Sequence, residues 1–554
     1  MVSVKIALAQ LDYHTGNFEY NTSKIIEHIE AAKADGMDLV VFSELCVCGY
    51  PPRDFLEFRD FIQRCEESIH RIAEACMGIA AIVGSPTINP VVEGKDLYNS
   101  AYLLEDGKVQ AIRHKTLLPN YDIFDEYRYF EPNRSFEVIA FKGIHIALTV
   151  CEDLWNINDN PMYIVNPMDE LFKQKPDVMI NIAASPFSKI QLETRRNVMI
   201  DNAQKYAIPL FYTNNIGAQT QLIFDGGSMV VDAKGNVVDT LGYFTEARKN
   251  YVLTVDGEMR TVVSTQHLTQ LEVPQTMQRI RDALVLGIRE YFTKQGFKQA
   301  VLGLSGGIDS ALVLALAVDA LGSDNVKAVL LPSRYSSDHS ISDAVKLAEN
   351  LKVPYETISI EKTFLALEET LSEQFAGLPF NIAEENMQSR SRGVILMALS
   401  NKFGYILLNT SNKSEMAVGY GTLYGDMCGG LSVIGDLYKT EVFELCHYIN
   451  RNGEVIPENI ITKAPSAELR PDQKDSDSLP EYDLLDQILA LYIEERKGPH
   501  EIIAAGFEEA TVKRVLRMVN MNEWKRLQAP PVLRISSKAF GPGRRMPIVA
   551  KYLS

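Results

Sequence analysis

Residues 300–311 read Ala300-Val301-Leu302-Gly303-Leu304-Ser305-Gly306-Gly307-Ile308-Asp309-Ser310-Ala311. The apolar run at 300–304 predicts a strand and the one at 311–321 a helix, with a turn of small residues between them. Such a turn lets backbone N–H groups approach an anion, and the helix N-terminus adds its positive end. The stretch lacks the Gly-Lys-Ser/Thr ending of the Walker loop and does not fit the dinucleotide fingerprint. Ser-Gly-Gly-x-Asp-Ser after an apolar strand reads instead as a nucleotide cradle formed by Gly303, Leu304, Ser305, Gly306, Gly307, Ile308, Asp309 and Ser310. Downstream, strands at 326–330, 356–360 and 405–408 and a helix at 340–351 continue a β/α alternation, which predicts a parallel, Rossmann-like sheet. Two segments break the rhythm: 419–435 is glycine-rich, and 466–481 is polar with two prolines and several aspartates, as expected of a mobile lid.

Upstream, Met277, Ile280, Leu284, Ile288 and Tyr291 mark a helix that begins after Pro274, and the pattern loosens across 252–274. We place domains at 1–262 and 263–554, since 554 residues exceed what one core usually organises. The first domain alternates apolar runs (4–9, 38–42, 79–83, 101–104, 144–150, 178–182, 209–213, 228–231) with few amphipathic helices, such as 22–34. That ratio predicts two sheets faced by helices, so the whole chain is α/β. Acidic residues outnumber basic ones 72 to 55, giving a net charge of −17, which argues against a general binder of nucleic acid or anionic membrane. A phosphate-bearing substrate must then meet a local basic pocket. Seven cysteines in a chain this long form no disulfide framework. Residues 1–10 lack a basic, then apolar, targeting pattern, and no run of about 18 apolar residues occurs. A cytoplasmic protein is expected.

Cys151 ends the alternating run Ile144, Ile146, Leu148, Val150 and is followed at once by Glu152-Asp153. Most single cysteines are inert core, so its company matters. Glu44 ends the run 39–42 and Lys115 the run around 109–112, so in a sheet with parallel neighbours all three side chains meet at one edge. Thiol, carboxylate and ammonium suffice for amide hydrolysis without a metal. Glu44 takes the thiol proton and later gives it to the leaving amine, Cys151 forms a thioester, and Lys115 stabilises the oxyanion.

Three segments carry a family resemblance: Phe42-Ser43-Glu44 with Gly49-Tyr50-Pro51, His114-Lys115-Thr116-Leu117-Leu118-Pro119, and Val150-Cys151-Glu152-Asp153. In this order they resemble the nitrilase superfamily over about the first 260 residues, by comparison with a usual domain length. The resemblance implies a nitrilase-like αββα sandwich and a Cys-Glu-Lys triad. It also implies a second glutamate, Glu126, that holds the lysine and the substrate amide, and glutamine contacts from Tyr121 and Ser185. Gln191 stands where that pattern has a lysine.

The second half resembles the N-type ATP pyrophosphatases, and among them the NAD synthetases. Thr410 and Glu415 in Leu408-Asn409-Thr410-Ser411-Asn412-Lys413-Ser414-Glu415 match that family, as do Asn386, Arg390, Lys439 and Lys525. By this resemblance Thr410 and Lys439 serve ATP, Asn386, Arg390, Glu415 and Lys525 serve deamido-NAD, and Asp309 and Glu415 share Mg²⁺. Leu423 stands where ammonia-only synthetases carry a lysine. The two halves in this order resemble the bacterial-type glutamine-dependent NAD synthetases, which implies L-glutamine, ATP and deamido-NAD as substrates and a homo-oligomer, dimer or higher. The implied reaction adenylates the pyridine carboxylate, releases pyrophosphate, and lets glutamine-derived ammonia displace AMP along a route shielded from water. The alternatives are another amidotransferase built on the same ATP-cleaving loop, and a nitrilase-like scaffold without turnover.

Overall fold

Side-chain alternation along Val2–Gln10 builds the first layers. Val4, Ile6 and Leu8 point into an apolar core shared with Ile146, Leu148 and Ile180. The small residues Ala7 and Ala9 face the other way, against Ile25, Ile29, Ile69 and Ile72 of helices Phe18–Ala34 and Arg59–Ala75. In this computed structural model, which describes residues 1–157, 161–265 and 273–552, the chain divides into two units, Met1–Val273 and Pro274–Ser554.

The first unit packs two sheets face to face. One is seven-stranded, in the order Met259–Ser264, Ala247–Asp256, Val2–Gln10, Leu39–Val41, Ala80–Ile88, Leu97–Glu105, Lys108–His114. The other is six-stranded, in the order Val237–Thr240, Met229–Val231, Leu210–Asn214, Val178–Ala183, Ile144–Val150, Ile139–Phe141. Helices Pro167–Phe172 and Gln191–Tyr206 pack on the second sheet through Met168, Leu171, Val198, Met199 and Ala203. The stretch that loosens in sequence, 252–274, holds the last part of Ala247–Asp256 and all of Met259–Ser264. These strands pair antiparallel at the edge, Val2 opposite Val255 and Tyr251 opposite Ser264. Their exposed face admits charged residues, which hides the strand period. Met259–Ser264 also carries the first unit past residue 262.

The second unit has a five-stranded, all-parallel sheet, in the order Tyr355–Thr357, Val326–Leu330, Ala300–Gly303, Ile406–Asn409, Leu431–Ser432. Counted along the chain this is 3-2-1-4-5, so the order reverses between Ala300–Gly303 and Ile406–Asn409. A crevice opens at such a switch point beyond the carboxyl ends of the strands. Toward the C-terminus, Leu485, Leu489, Val512, Val515 and Val519 on helices Tyr482–Ile493 and Glu509–Met521 form a separate helical core. Among the described residues, no helix is long and apolar enough to cross a membrane.

Candidate active sites

In the first unit the strand ends determine which side chains converge. After Leu39–Val41 the chain turns sharply under Gly84, where a Cβ would lie 2.3 Å from Leu45 N and 2.7 Å from the Ser43 carbonyl. Only glycine permits that approach, and the turn buries Glu44 completely. Glu44 Oε1 accepts from Lys115 Nζ (2.8 Å) and Asn99 Nδ2 (2.7 Å), while Oε2 accepts from the Ala184 backbone N–H (2.8 Å). Lys115 Nζ also donates to Glu126 Oε1 (2.9 Å), which accepts from the Tyr50 hydroxyl as well (2.9 Å). Gly84→Ala is expected to destabilise this unit by about 1–3 kcal/mol through overpacking, read as a lowered thermal midpoint, because backbone atoms and not a flexible side chain would have to move.

Cys151 opens the short 3-10 turn Cys151–Leu154 in a left-handed conformation, φ 45°. For a non-glycine residue this stores about 1–3 kcal/mol of strain. Asp153 holds the turn: its Oδ2 accepts from Val150 N (3.0 Å), and its Oδ1 accepts from Thr116 N and Leu117 N (both 2.9 Å). One carboxylate thus fastens the thiol turn to the residues after Lys115. The strand pattern predicts that the three side chains meet at one edge of a sheet with parallel neighbours, but the strands that lead to them lie in two sheets. Lys108–His114 pairs antiparallel with its neighbour in the first sheet, and Cys151 follows Ile144–Val150 in the second. Strand periodicity locates a residue at a strand end but does not say which sheet holds the strand.

The electrostatics follow from burial. Burial pushes the Cys151 thiol well up, the Glu44 charge adds to this, and Lys115 opposes both. Burial alone would lower the Lys115 ammonium, but Glu126 and Glu44 prevail and hold it well above its ordinary range. Burial raises Glu126 to about 7 against the pull of Lys115, with Glu44 adding to the rise. Cys151 at rest therefore keeps its proton. Tyr121 donates to Glu152 Oε1 (2.9 Å), as does Tyr163 (2.9 Å). Ser185 is buried next to Ala184, and its N–H donates to Asn214 Oδ1 (2.8 Å). Gln191 begins the helix Gln191–Tyr206. Asn99 carries no signal in the sequence, while Tyr50, Glu152 and Asp153 lie in the segments that carry the family resemblance without a role assigned to them there.

In the second unit a cavity of about 670 Å³ is lined by Gly303, Leu304, Ser305, Gly307, Ile308, Asp309, Ser310, Thr410, Glu415 and Lys439. Gly306 has φ +79°, and a Cβ there would lie 2.2 Å from the Ser340 carbonyl, so the turn passes where no other residue fits. Ser305 and Ser310 brace it, with Gly307 N donating to Ser305 Oγ (3.2 Å) and Ser310 Oγ donating to Gly307 O (3.0 Å). Asp309 accepts from Asn412 Nδ2 (2.9 Å) and Lys439 Nζ (2.5 Å), and Lys439 also reaches Glu415 Oε1 (3.4 Å). Burial first, then the Asp309 charge, pushes Glu415 up to about 8 despite Lys439. Arg392, Lys463, Arg470 and Lys474 also line the cavity and give an acidic protein its local basic pocket.

Asn386, Arg390 and Lys525 gather on the loop at 419–426 and do not line this cavity. Asn386 Oδ1 accepts from Thr422 Oγ1 (2.7 Å), Arg390 Nε donates to the Leu423 carbonyl (3.3 Å), and Lys525 Nζ donates to the carbonyls of Gly419 (3.0 Å) and Gly421 (3.2 Å). The segment 466–481 does line it, with Asp475 buried and accepting from the hydroxyls of Tyr420 (3.1 Å) and Tyr482 (2.8 Å).

The chain matches the carbon-nitrogen hydrolase family over residues 5–266 and the NAD synthase family over 280–529. That pairing defines a class of C–N ligases in which an amide-cleaving domain precedes a nucleotide-using synthase. A glutamine-dependent NAD(+) synthetase from Synechocystis sp. is 45% identical over 99% of both chains. The structure of glutamine-dependent NAD+ synthetase from Acinetobacter baumannii, in complex with ADP, is 38% identical with a TM-score of 0.77, covering 99% of this chain and 98% of that one. One from Cytophaga hutchinsonii, at 21% identity, shares the fold with a TM-score of 0.82, again over 99% and 98%. The chain belongs to the glutamine-dependent NAD(+) synthetase family.

Proposed function

We propose that this chain converts deamido-NAD, ATP and L-glutamine into NAD, AMP, pyrophosphate and glutamate. One observation supports the reading: a buried Glu44–Lys115–Glu126 set whose charges act on Cys151, together with a glycine-loop crevice in the same chain. Glu44 removes the Cys151 proton as sulfur attacks the glutamine side-chain carbonyl, and Lys115 faces the oxyanion. The C–N bond then breaks, Glu44 returns the proton to the departing nitrogen, and ammonia leaves a thioester. Water activated by Glu44 hydrolyses the thioester to glutamate. Tyr121 and Ser185 hold the amino acid, the first with its hydroxyl already oriented by Glu152.

In the second unit the pyridine carboxylate attacks the α-phosphorus of ATP and pyrophosphate departs. Ammonia then attacks the acyl carbon and AMP leaves. The N–H groups around Gly307 and the Lys439 ammonium face the phosphates, and Thr410 lines the nucleotide pocket. Asp309 and Glu415 both line the crevice and share the Lys439 ammonium; as hard oxygen donors they would hold Mg²⁺, and it would neutralise charge on the phosphates. Asn386, Arg390 and Lys525 serve deamido-NAD by shaping the loop at 419–426 that they bind. The seven cysteines, all free of disulfides, support a cytoplasmic setting. The exposed run Leu378, Phe380, Ile382 supports a homo-oligomer.

Mass spectrometry of deamido-NAD incubated with ATP, Mg²⁺ and either glutamine or ammonium tests the reaction. NAD and AMP are expected from both mixtures, and the absence of NAD from both would refute it. A second expectation concerns the segment 466–481. Limited proteolysis should cut there in the free protein and be suppressed by ATP with deamido-NAD, since substrates fill the cavity that the segment lines. Equal cutting with and without substrates would remove the lid.

A further inference from the structure

Glu415 and Lys439 lie on different helices, Lys413–Val418 and Lys439–Asn450, yet the Lys439 ammonium pairs with both Asp309 and Glu415. Each is anchored through the residue next to it or its own backbone. Ser414, beside Glu415, accepts from the Lys439 backbone N–H (2.8 Å) and donates to Asp486 Oδ1 (2.5 Å). Asp486 Oδ2 accepts from both the N–H and the hydroxyl of Thr440 (2.9 Å each), beside Lys439. One buried carboxylate therefore joins the starts of both helices. It comes from a third helix, Tyr482–Ile493, whose first residue, Tyr482, holds Asp475 of the cavity wall and stacks near Lys439 Nζ at 5.4 Å from its ring centre.

We propose that Asp486, acting through Ser414 and Thr440, is a positioning residue for the phosphate chemistry; this rests on the function proposed above. Asp486 touches no substrate. Lys439 reaches its target on a flexible four-carbon stem, so its aim depends on where its backbone is held, and the holder is the hydroxyl adjacent to Glu415. The clamp sets the lysine and the carboxylate as a unit against Asp309. Misplacing such groups by about 1 Å costs on the order of a hundredfold in rate. A simple helix cap would need only the bond to Thr440 N. The bond to Ser414 adds nothing to that cap and ties it to the other helix.

The variants Ser414→Ala, Ser414→Thr and Asp486→Asn separate these roles. Ser414→Ala removes the tie and leaves the cap. Asp486→Asn keeps an oxygen for Thr440 N and turns the Ser414 bond round. The readout is pyrophosphate release in a single turnover from ATP and deamido-NAD without any nitrogen source, beside ammonium-dependent kcat and the KM for ATP. Ser414→Ala and Asp486→Asn should slow release about 10- to 100-fold, with the KM for ATP changed less than about threefold and glutamine hydrolysis in the first unit unaltered. Ser414→Thr, which restores a hydroxyl, should recover most of the rate. Wild-type release rates in Ser414→Ala, a slow Ser414→Ala that threonine does not rescue, or a raised KM with unchanged kcat would overturn the clamp. If Ser414→Ala does not fold, Asp486→Asn decides by the same rate and KM criteria. Wild-type protein that releases no pyrophosphate would overturn the function itself, and the clamp with it, whereas an active wild type matched by its variants overturns the clamp alone.

Discussion

Cys151→Ala protein should lose glutamine-dependent NAD formation by about a thousandfold or more and still make NAD from added ammonium. In the proposed reaction the thiol is needed only to form the thioester, and Glu44 is not free to replace it, being held by Lys115, Asn99 and Ala184. In the proposed reaction adenylation falls to groups in the other unit, where the Lys439 ammonium pairs with Asp309 and Glu415. The fold should tolerate the change, since Cys151 is at a strained left-handed position that alanine occupies no worse. Glutamine and ammonium titrations of the same preparation check this directly. Retained glutamine-dependent synthesis would remove Cys151 as nucleophile. Loss of the ammonium reaction in a folded protein would mean that the two chemistries are not separable.

The parts legible in sequence were those fixed by local pattern. The strand before Ser305-Gly306-Gly307, the helix after Asp309 and the parallel order that follows all rest on apolar spacing, and Gly306 announces a backbone path that its contact with Ser340 now explains. Glu44, Lys115 and Cys151 stood out because each ends an apolar run. What sequence could not give was partnership across long separations. Asn99 bridging Glu44 and Glu126, Asp153 tying Thr116 to Val150, and Asp486 joining Ser414 to Thr440 are single polar residues whose meaning exists only after folding. The antiparallel edge strands at 247–264 were obscured for another reason, because one of their faces admits charge.

Asp309→Asn and Glu415→Gln should each abolish NAD and AMP formation with either nitrogen source, falling by about a thousandfold or more, as residues acting as one unit do, while glutamine hydrolysis survives. Asp309 has lysine on one carboxylate oxygen and Asn412 on the other, so an amide there turns a donor toward a donor and breaks the arrangement. Glu415→Gln makes a sharper case because stability and activity should move in opposite directions. Burial and the Asp309 charge push the Glu415 carboxyl up to about 8 from an ordinary value of 4.5. Between those two values the folded chain holds a proton that the unfolded chain has released. The contribution of this group to stability is therefore present below pH 4.5 and is lost as the pH rises through about 8. Glutamine mimics the protonated form at every pH and escapes that loss. In metal-free buffer, Glu415→Gln should melt no lower than wild type near neutrality, with its advantage growing toward pH 8 and vanishing in acid. Thermal melts across that range, paired with NAD synthesis at saturating Mg²⁺, decide the matter. Near-normal synthesis would exclude Glu415 from the phosphate chemistry, and a variant less stable than wild type at pH 8 would show that its charge is compensated in the fold.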